Sequence, residues 1–129
     1  MEETLRKYET VIVTRPDLTI EERKAFHEKV LEFIKKHRGD LLTFEVWGKR
    51  RLAYPIKKNS KGYYTYYVYV ADQGLVKDLV SWLRIQDDVL RYLTVKLEDK
   101  VTQEDLQGTE KKIEEFPVEE VVEETSMEA

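Results

Sequence analysis

The stretch from Val46 to Ala71, VWGKRRLAYPIKKNSKGYYTYYVYVA, holds two β-forming runs separated by a cluster of turn residues. Residues 63–71, YYTYYVYVA, are almost entirely aromatic or β-branched, the side chains that suit a pleated, half-buried surface. Leu42, Phe44 and Val46 lead into the stretch on alternate positions, so residues 41–56 read as the partner strand. Asn59-Ser60-Lys61-Gly62 is predicted as the turn between them, and Gly48 as a bulge in the first run. A long hairpin in the middle of the chain is the element around which the rest must be arranged.

Upstream, residues 8–14, YETVIVT, predict a first strand that ends at Arg15-Pro16, where proline cannot continue a ladder. Thr19-Ile20-Glu21-Glu22 has the hydroxyl and carboxylate of a capping box. Phe26, Val30, Phe33 and Ile34 then recur at helical spacing, which predicts a helix over 19–38 with Gly39 as the left-handed residue that stops it. Downstream, Leu75, Leu79, Trp82 and Leu83 form one stripe of a helix over 74–85, and VLRYLTVKL at 89–97 reads as a fourth strand. The order β-α-β-β-α-β predicts an α+β, ferredoxin-like split β-α-β fold, a four-stranded antiparallel sheet with two helices on one face.

The chain has 129 residues and a net charge of −4, which by itself argues against nucleic acid. The average conceals two unlike halves. Residues 1–97 hold 19 Lys and Arg against 14 Asp and Glu, a net of +5, whereas residues 98–129 hold 3 against 12, a net of −9. The expectation is one domain over 1–97 and an acidic, disordered C-terminal tail over 98–129, with a short helix on Val118, Val121 and Val122 as its one structured option. There is no cysteine, no apolar run near the roughly 20 residues that span a bilayer, and no signal-peptide core in MEETLRKYE. A cytoplasmic protein with no disulfide, metal or cofactor is expected.

The hairpin also carries the chemistry. Between Val46 and Ala71 there is no acidic residue, while Lys49, Arg50, Arg51, Lys57, Lys58 and Lys61 are interleaved with Trp47 and six tyrosines. Cations neutralise phosphates and release counterions, and aromatic faces stack on exposed bases, so the mixture suits RNA. Lysines at a hairpin turn also protect a sheet edge from aggregation, and strand tyrosines often only fill space, so a local run is weak support. Topology strengthens it: the fold brings the end of strand one, the end of helix two and the start of strand four to the turn end of the hairpin. Arg15, Arg84 and Arg91 would then join Lys57, Lys58 and Lys61 in one patch. In strand three both parities are apolar or aromatic, Tyr64, Tyr66, Val68 and Val70 against Tyr63, Tyr67 and Tyr69. The face away from the helices is therefore expected to be an aromatic platform for bases or to be covered by a protein partner.

Trp47-Gly48-Lys49-Arg50-Arg51-Leu52-Ala53-Tyr54-Pro55-Ile56, with Tyr8-Glu9 opening strand one and Lys61-Gly62-Tyr63-Tyr64 opening strand three, closely resembles the protein-six family of the bacterial small ribosomal subunit. The resemblance runs over residues 5–97 without large gaps. It implies a non-enzymatic RNA-binding protein that joins the central domain of 16S rRNA as a heterodimer with small-subunit protein eighteen, in the ribosome, with no membrane and no small-molecule substrate. Carried over by position, Arg6, Lys7, Lys58, Arg84 and Arg91 fall at basic positions of the family pattern, and Arg50 and Arg51 at its paired arginines in or near the partner and rRNA surface. With Arg15 and Lys57 from the converging patch, the first group is expected on the rRNA. Trp47 and Tyr54 join Arg50 and Arg51 on the second strand as the expected surface for the partner and adjoining RNA. Gln86 stands where some members carry a further cation, which puts one phosphate contact in doubt.

Two rivals share the topology. An RNA-recognition-motif-like binder of single-stranded RNA would match Lys61-Gly62-Tyr63, but Thr65 breaks its aromatic spacing. An acylphosphatase-like enzyme would need a glycine-rich phosphate loop after strand one, where this chain has Arg15-Pro16-Asp17-Leu18. His27 and His37 lack ligand spacing and read as surface residues, and Trp82 reads as core.

Overall fold

The computed structural model describes residues 5–117. Along the chain these form β1 (Leu5–Thr14), α1 (Ile20–Lys36), β2 (Asp40–Ile56), β3 (Asn59–Ala71), α2 (Leu75–Arg84), β4 (Val89–Val101), a short α3 (Gln103–Gln107) and β5 (Lys112–Ile113). The sheet order is β4-β1-β3-β2-β5. The first four strands are antiparallel to their neighbours, and β1 lies between β3 and β4 as the split β-α-β arrangement requires. β5 adds a short parallel strand to the outer edge of β2, so the sheet has five strands and is mixed rather than four and antiparallel.

Helix α1 begins as its sequence dictates. Thr19 accepts from the Glu22 amide at 3.1 Å, and the Glu22 carboxylate accepts from the Thr19 amide at 2.8 Å. Its other end departs from expectation. Arg38, not Gly39, adopts the left-handed conformation, with φ 59°. Gly39 comes one residue later and donates to the Ile34 carbonyl at 2.7 Å. A Cβ on Gly39 would stand 2.4 Å from the Val70 carbonyl and 2.7 Å from Ile34, so the glycine serves the close approach of the helix end to β3.

The core lies between the helices and one sheet face. Ile12, Val30, Phe44, Tyr67, Tyr69, Leu75, Leu79 and Leu83 are all buried there. Each fully buried aliphatic side chain contributes about 1.5–3 kcal/mol, so this layer dominates stability. The Tyr69 hydroxyl enters it with a partner: it shares a 2.9 Å hydrogen bond with Thr10, whose Oγ1 is also 2.9 Å from Thr94. Trp82 is half-buried beside the core, 5.0 Å from Phe26 and 5.4 Å from Phe33 between ring centres.

Two readings are corrected and a third holds. The β2–β3 turn falls at Lys57–Lys58, both left-handed (φ 48° and 67°), and Ile56 pairs with Asn59, so 59–62 belong to β3. Leu42 does not share a face with Phe44, because the register slips between Leu41 and Thr43. The bulge sends Leu42 into a second cluster with Leu5, Val68, Val70 and Val101 on the face away from α1 and α2. The second slip, at Gly48 (φ 82°), is where the sequence places it.

Residues 98–117, expected to lack structure, are built into the sheet. β4 continues through Leu97 to Val101, opposite Leu5, and Thr102 caps α3 with a capping box to Asp105. Leu106 packs on the Leu42 cluster, β5 pairs with β2, and Phe116 packs against the helix-side core. Apolar residues spaced by charge in this segment are enough to dock on an existing surface, though too few to form one. The proposed helix on Val118, Val121 and Val122 lies outside the described residues.

The histidines are not surface residues. His27 lies 4.1 Å from the Phe44 ring centre with Nδ1 2.9 Å from the Tyr67 hydroxyl, and burial lowers its pKa below 6.5 against a smaller opposing effect of Glu28. His37 clasps Asp72 at 2.9 Å and Asp78 at 2.7 Å, tying the end of α1 to the start of α2.

Candidate nucleic-acid and partner interface

At one end of the sheet the tight Lys57–Lys58 turn is fixed by Asn59, whose amide nitrogen donates to the carbonyls of Ile56 at 3.3 Å and Lys57 at 3.1 Å. Lys57 extends across this end and donates from Nζ to the Val89 carbonyl at 3.2 Å and the Asp87 carbonyl at 3.5 Å, which ties the hairpin turn to the start of β4. Arg15, just past β1, pairs with Asp88 at 2.8 Å through its side chain, while its amide donates to the Asp88 carbonyl at 2.9 Å. Arg91 sits opposite Val13 on β4 and is exposed, as are Lys58 and Arg84, the last residue of α2. Arg15, Lys57, Lys58, Arg84 and Arg91 are thus brought to one end. Asp17, Asp87 and Asp88 stand among them, so the positive field there is smaller than a count of cations suggests.

Arg6 and Lys7 are not part of this patch. They pair with Ala71 and Val70 at the opposite end of the sheet. Lys7 lies 3.5 Å from Glu98, and the neighbouring Asp99 carboxyl is held below its ordinary range by Lys96 first and, less strongly, by Arg6.

The second surface is the sheet face away from α1 and α2. Trp47 stacks on Tyr66 with ring centres 5.0 Å apart and planes at 16°. The Trp47 indole donates to Glu45 at 2.9 Å, and the Tyr66 hydroxyl donates to Glu9 at 2.6 Å. That short bond to a carboxylate, with burial adding to it, pushes the Tyr66 phenol up to about 12. The Arg50 guanidinium lies 5.0 Å from the Trp47 ring centre and 5.8 Å from that of Tyr64, a cation already held against two aromatic faces. Arg51 and Tyr54 follow on the same strand, both exposed, Tyr54 to 59%.

Gly62 makes this corner possible. A Cβ there would stand 2.3 Å from Val13, so its absence lets Val13, Leu52 and Leu90 close into a small apolar cluster beneath Tyr64. Sequence reading missed Leu93 and Val95, 63% and 39% exposed, opposite Val11 and Glu9 on the same face. Their signal was present in VLRYLTVKL, where both parities carry apolar residues. Tyr63, Tyr67 and Tyr69, by contrast, are sealed under the helices and take no part in either surface.

Among the described residues no helix is long and apolar enough to cross a membrane, and no cluster of His, Asp or Glu could hold a metal ion. Residues 7–96 match the family model described as ribosomal protein S6. Small ribosomal subunit protein bS6 of Geobacter metallireducens is 46% identical over 94 residues, 73% of this chain and 80% of that protein. The bS6 of Caldanaerobacter subterraneus subsp. tengcongensis is 42% identical over 95 residues, 74% of this chain and all of its own length. The crystal structure of 30S ribosomal protein S6 from Thermotoga maritima superposes with a TM-score of 0.67 at 29% identity, covering 72% of this chain and 88% of that one. With the split β-α-β sheet and a family match across β1 to β4, the chain belongs to the ribosomal protein S6 family.

Proposed function

We propose that this chain, a structural and non-enzymatic constituent of the small ribosomal subunit, takes its place there by binding the central domain of 16S rRNA together with small-subunit protein eighteen. The observation that carries the reading is the Arg50 guanidinium set against Trp47 and Tyr64 on a sheet face that also exposes Leu93 and Val95. A lone two-layer domain has no use for such a face, whereas a partner protein would bury its apolar part and RNA would take its cation. The rRNA contact is assigned to the other patch, Lys57, Lys58, Arg84 and Arg91, with Arg15 available on release from Asp88. Arg6 and Lys7, at the far end, would meet a separate stretch of RNA.

Electrostatics supports joint binding. With a net of only +5 over residues 1–97, and acids set among the end-patch cations, the domain alone neutralises few phosphates. A partner supplying further cations would raise the number of released counterions and the affinity together. The test is the double change Arg50→Ala, Arg51→Ala, assayed by binding to a central-domain rRNA fragment with and without the partner. Both side chains are exposed, so the melting temperature should move little while assembly weakens at least tenfold. Equal binding by the variant and the parent in the partner's presence would refute the reading.

A further inference from the structure

The outer edge of β2 is occupied by the chain's own C-terminal segment, in a way the family match at residues 7–96 does not cover. From Val101 the chain carries Leu106 onto the cluster of Leu42, Val68 and Val70 on the open face. It then reaches the β2 edge, where Lys111 pairs with Asp40 at 2.8 Å and Lys112 and Ile113 lie parallel to Thr43 and Phe44. The Glu114 amide donates to the Phe44 carbonyl at 2.9 Å, and its carboxylate accepts from the Val46 amide at 2.8 Å. Phe116 ends the wrap on the helix side, edge-on to His27 and Phe44 at 5.6 and 5.4 Å and 6.4 Å from Tyr63. The segment therefore passes from one face of the sheet to the other around the β2 edge, fixed at each stage by a different interaction.

An unprotected strand edge is a template for another strand, and proteins blunt such edges in recognisable ways. Here the backbone pairing is short, and the Glu114 side chain takes the place a further backbone carbonyl would have. It satisfies Val46 and stops the ladder there, just before the Gly48 bulge. We propose that residues 102–117 are a built-in guard of the β2 edge: a cis-acting strand, anchored by Phe116, that denies Thr43–Val46 to β2 of a second copy of this chain.

The experiment compares the full chain with its Phe116→Ala and Glu114→Ala variants by amide hydrogen exchange and sedimentation. Phe116→Ala should release the wrap, so that the Val46 amide exchanges at least tenfold faster and the average mass rises more steeply with concentration than in the parent. Glu114→Ala should accelerate Val46 while leaving the amides of β1 and β3 as slow as before. Unchanged exchange at Val46 in Phe116→Ala would overturn the anchor, and faster exchange without added self-association would overturn the guard. If Phe116→Ala does not fold, Glu114→Ala decides: a Val46 amide as slow as in the parent overturns the proposal, and a faster one with increased self-association supports it.

Discussion

Strand β3 shows its two faces through the same amino acid. Tyr63, Tyr67 and Tyr69 point toward the helices and are almost completely buried, whereas Tyr64 and Tyr66 point the other way and are half-exposed. The first set fills volume. Burial pushes the Tyr67 phenol far up and the Tyr69 phenol up to about 12, as expected of hydroxyls kept neutral in a dry layer. The second set supports Trp47 and Arg50, with the Tyr66 hydroxyl directed to Glu9. In strands with a period of two, an aromatic composition says little until parity is assigned; three of the five tyrosines of β3 are core.

The contrast between faces is broken most severely from the helix side. Tyr69→Ala should cost about 3–5 kcal/mol in urea unfolding, because it removes a fully buried ring and leaves a cavity. Tyr66→Ala, on the half-exposed face, should cost about 1 kcal/mol and show its main effect on partner binding, as loss of the Trp47 stack. Equal destabilisation by the two would mean that the faces are not energetically distinct.

A subtler test uses pH. Burial holds His27 below 6.5 in the folded chain, so folding keeps it neutral while the unfolded chain takes up a proton as pH falls past that value. Stability from this group is therefore intact above pH 6.5 and declines below it, and His27→Gln should flatten the fall in melting temperature between pH 7.5 and 5. A decline just as steep in the variant would assign it to other groups. The smallest effect is spectroscopic: Glu9→Gln should bring the Tyr66 ionisation down from about 12, seen as an earlier rise in tyrosinate absorbance.

What sequence could reveal depended on whether a signal was local. The capping box at Thr19 and Glu22 uses residues three apart and was legible in full. The hairpin turn was misplaced because Asn59 and Gly62 are strong turn formers, whereas lysine rarely takes a left-handed conformation. The turn is held in part locally, by Asn59, and in part by the remote carbonyls of Asp87 and Val89 that receive Lys57, and no local rule contains the second set. The same holds for Gly39, whose constraint comes from Val70. Residues 98–117 failed for a related reason: a charged segment with three or four apolar side chains reads as disordered alone, and only the finished sheet gives Leu106 and Phe116 somewhere to go. The convergence of Arg15, Arg84 and Arg91 was legible because it follows from topology, while the ion pair that occupies Arg15 was not.

The capping of Val46 by Glu114 also sets a schedule for the newborn chain. The two residues are 68 positions apart, so at roughly 5–20 residues per second the amide waits about 3 to 14 seconds for its acceptor to be translated. A hairpin such as β2–β3 closes within about 1–10 microseconds. Once β3 is complete at Ala71, 43 residues before Glu114, β2 stands as a paired but naked rim for about 2 to 9 seconds, roughly a hundred thousand hairpin closing times or more. Over that interval the devices on the strand itself that disfavour edge-to-edge pairing are the charges of Lys49, Arg50 and Arg51 and the bulge at Gly48.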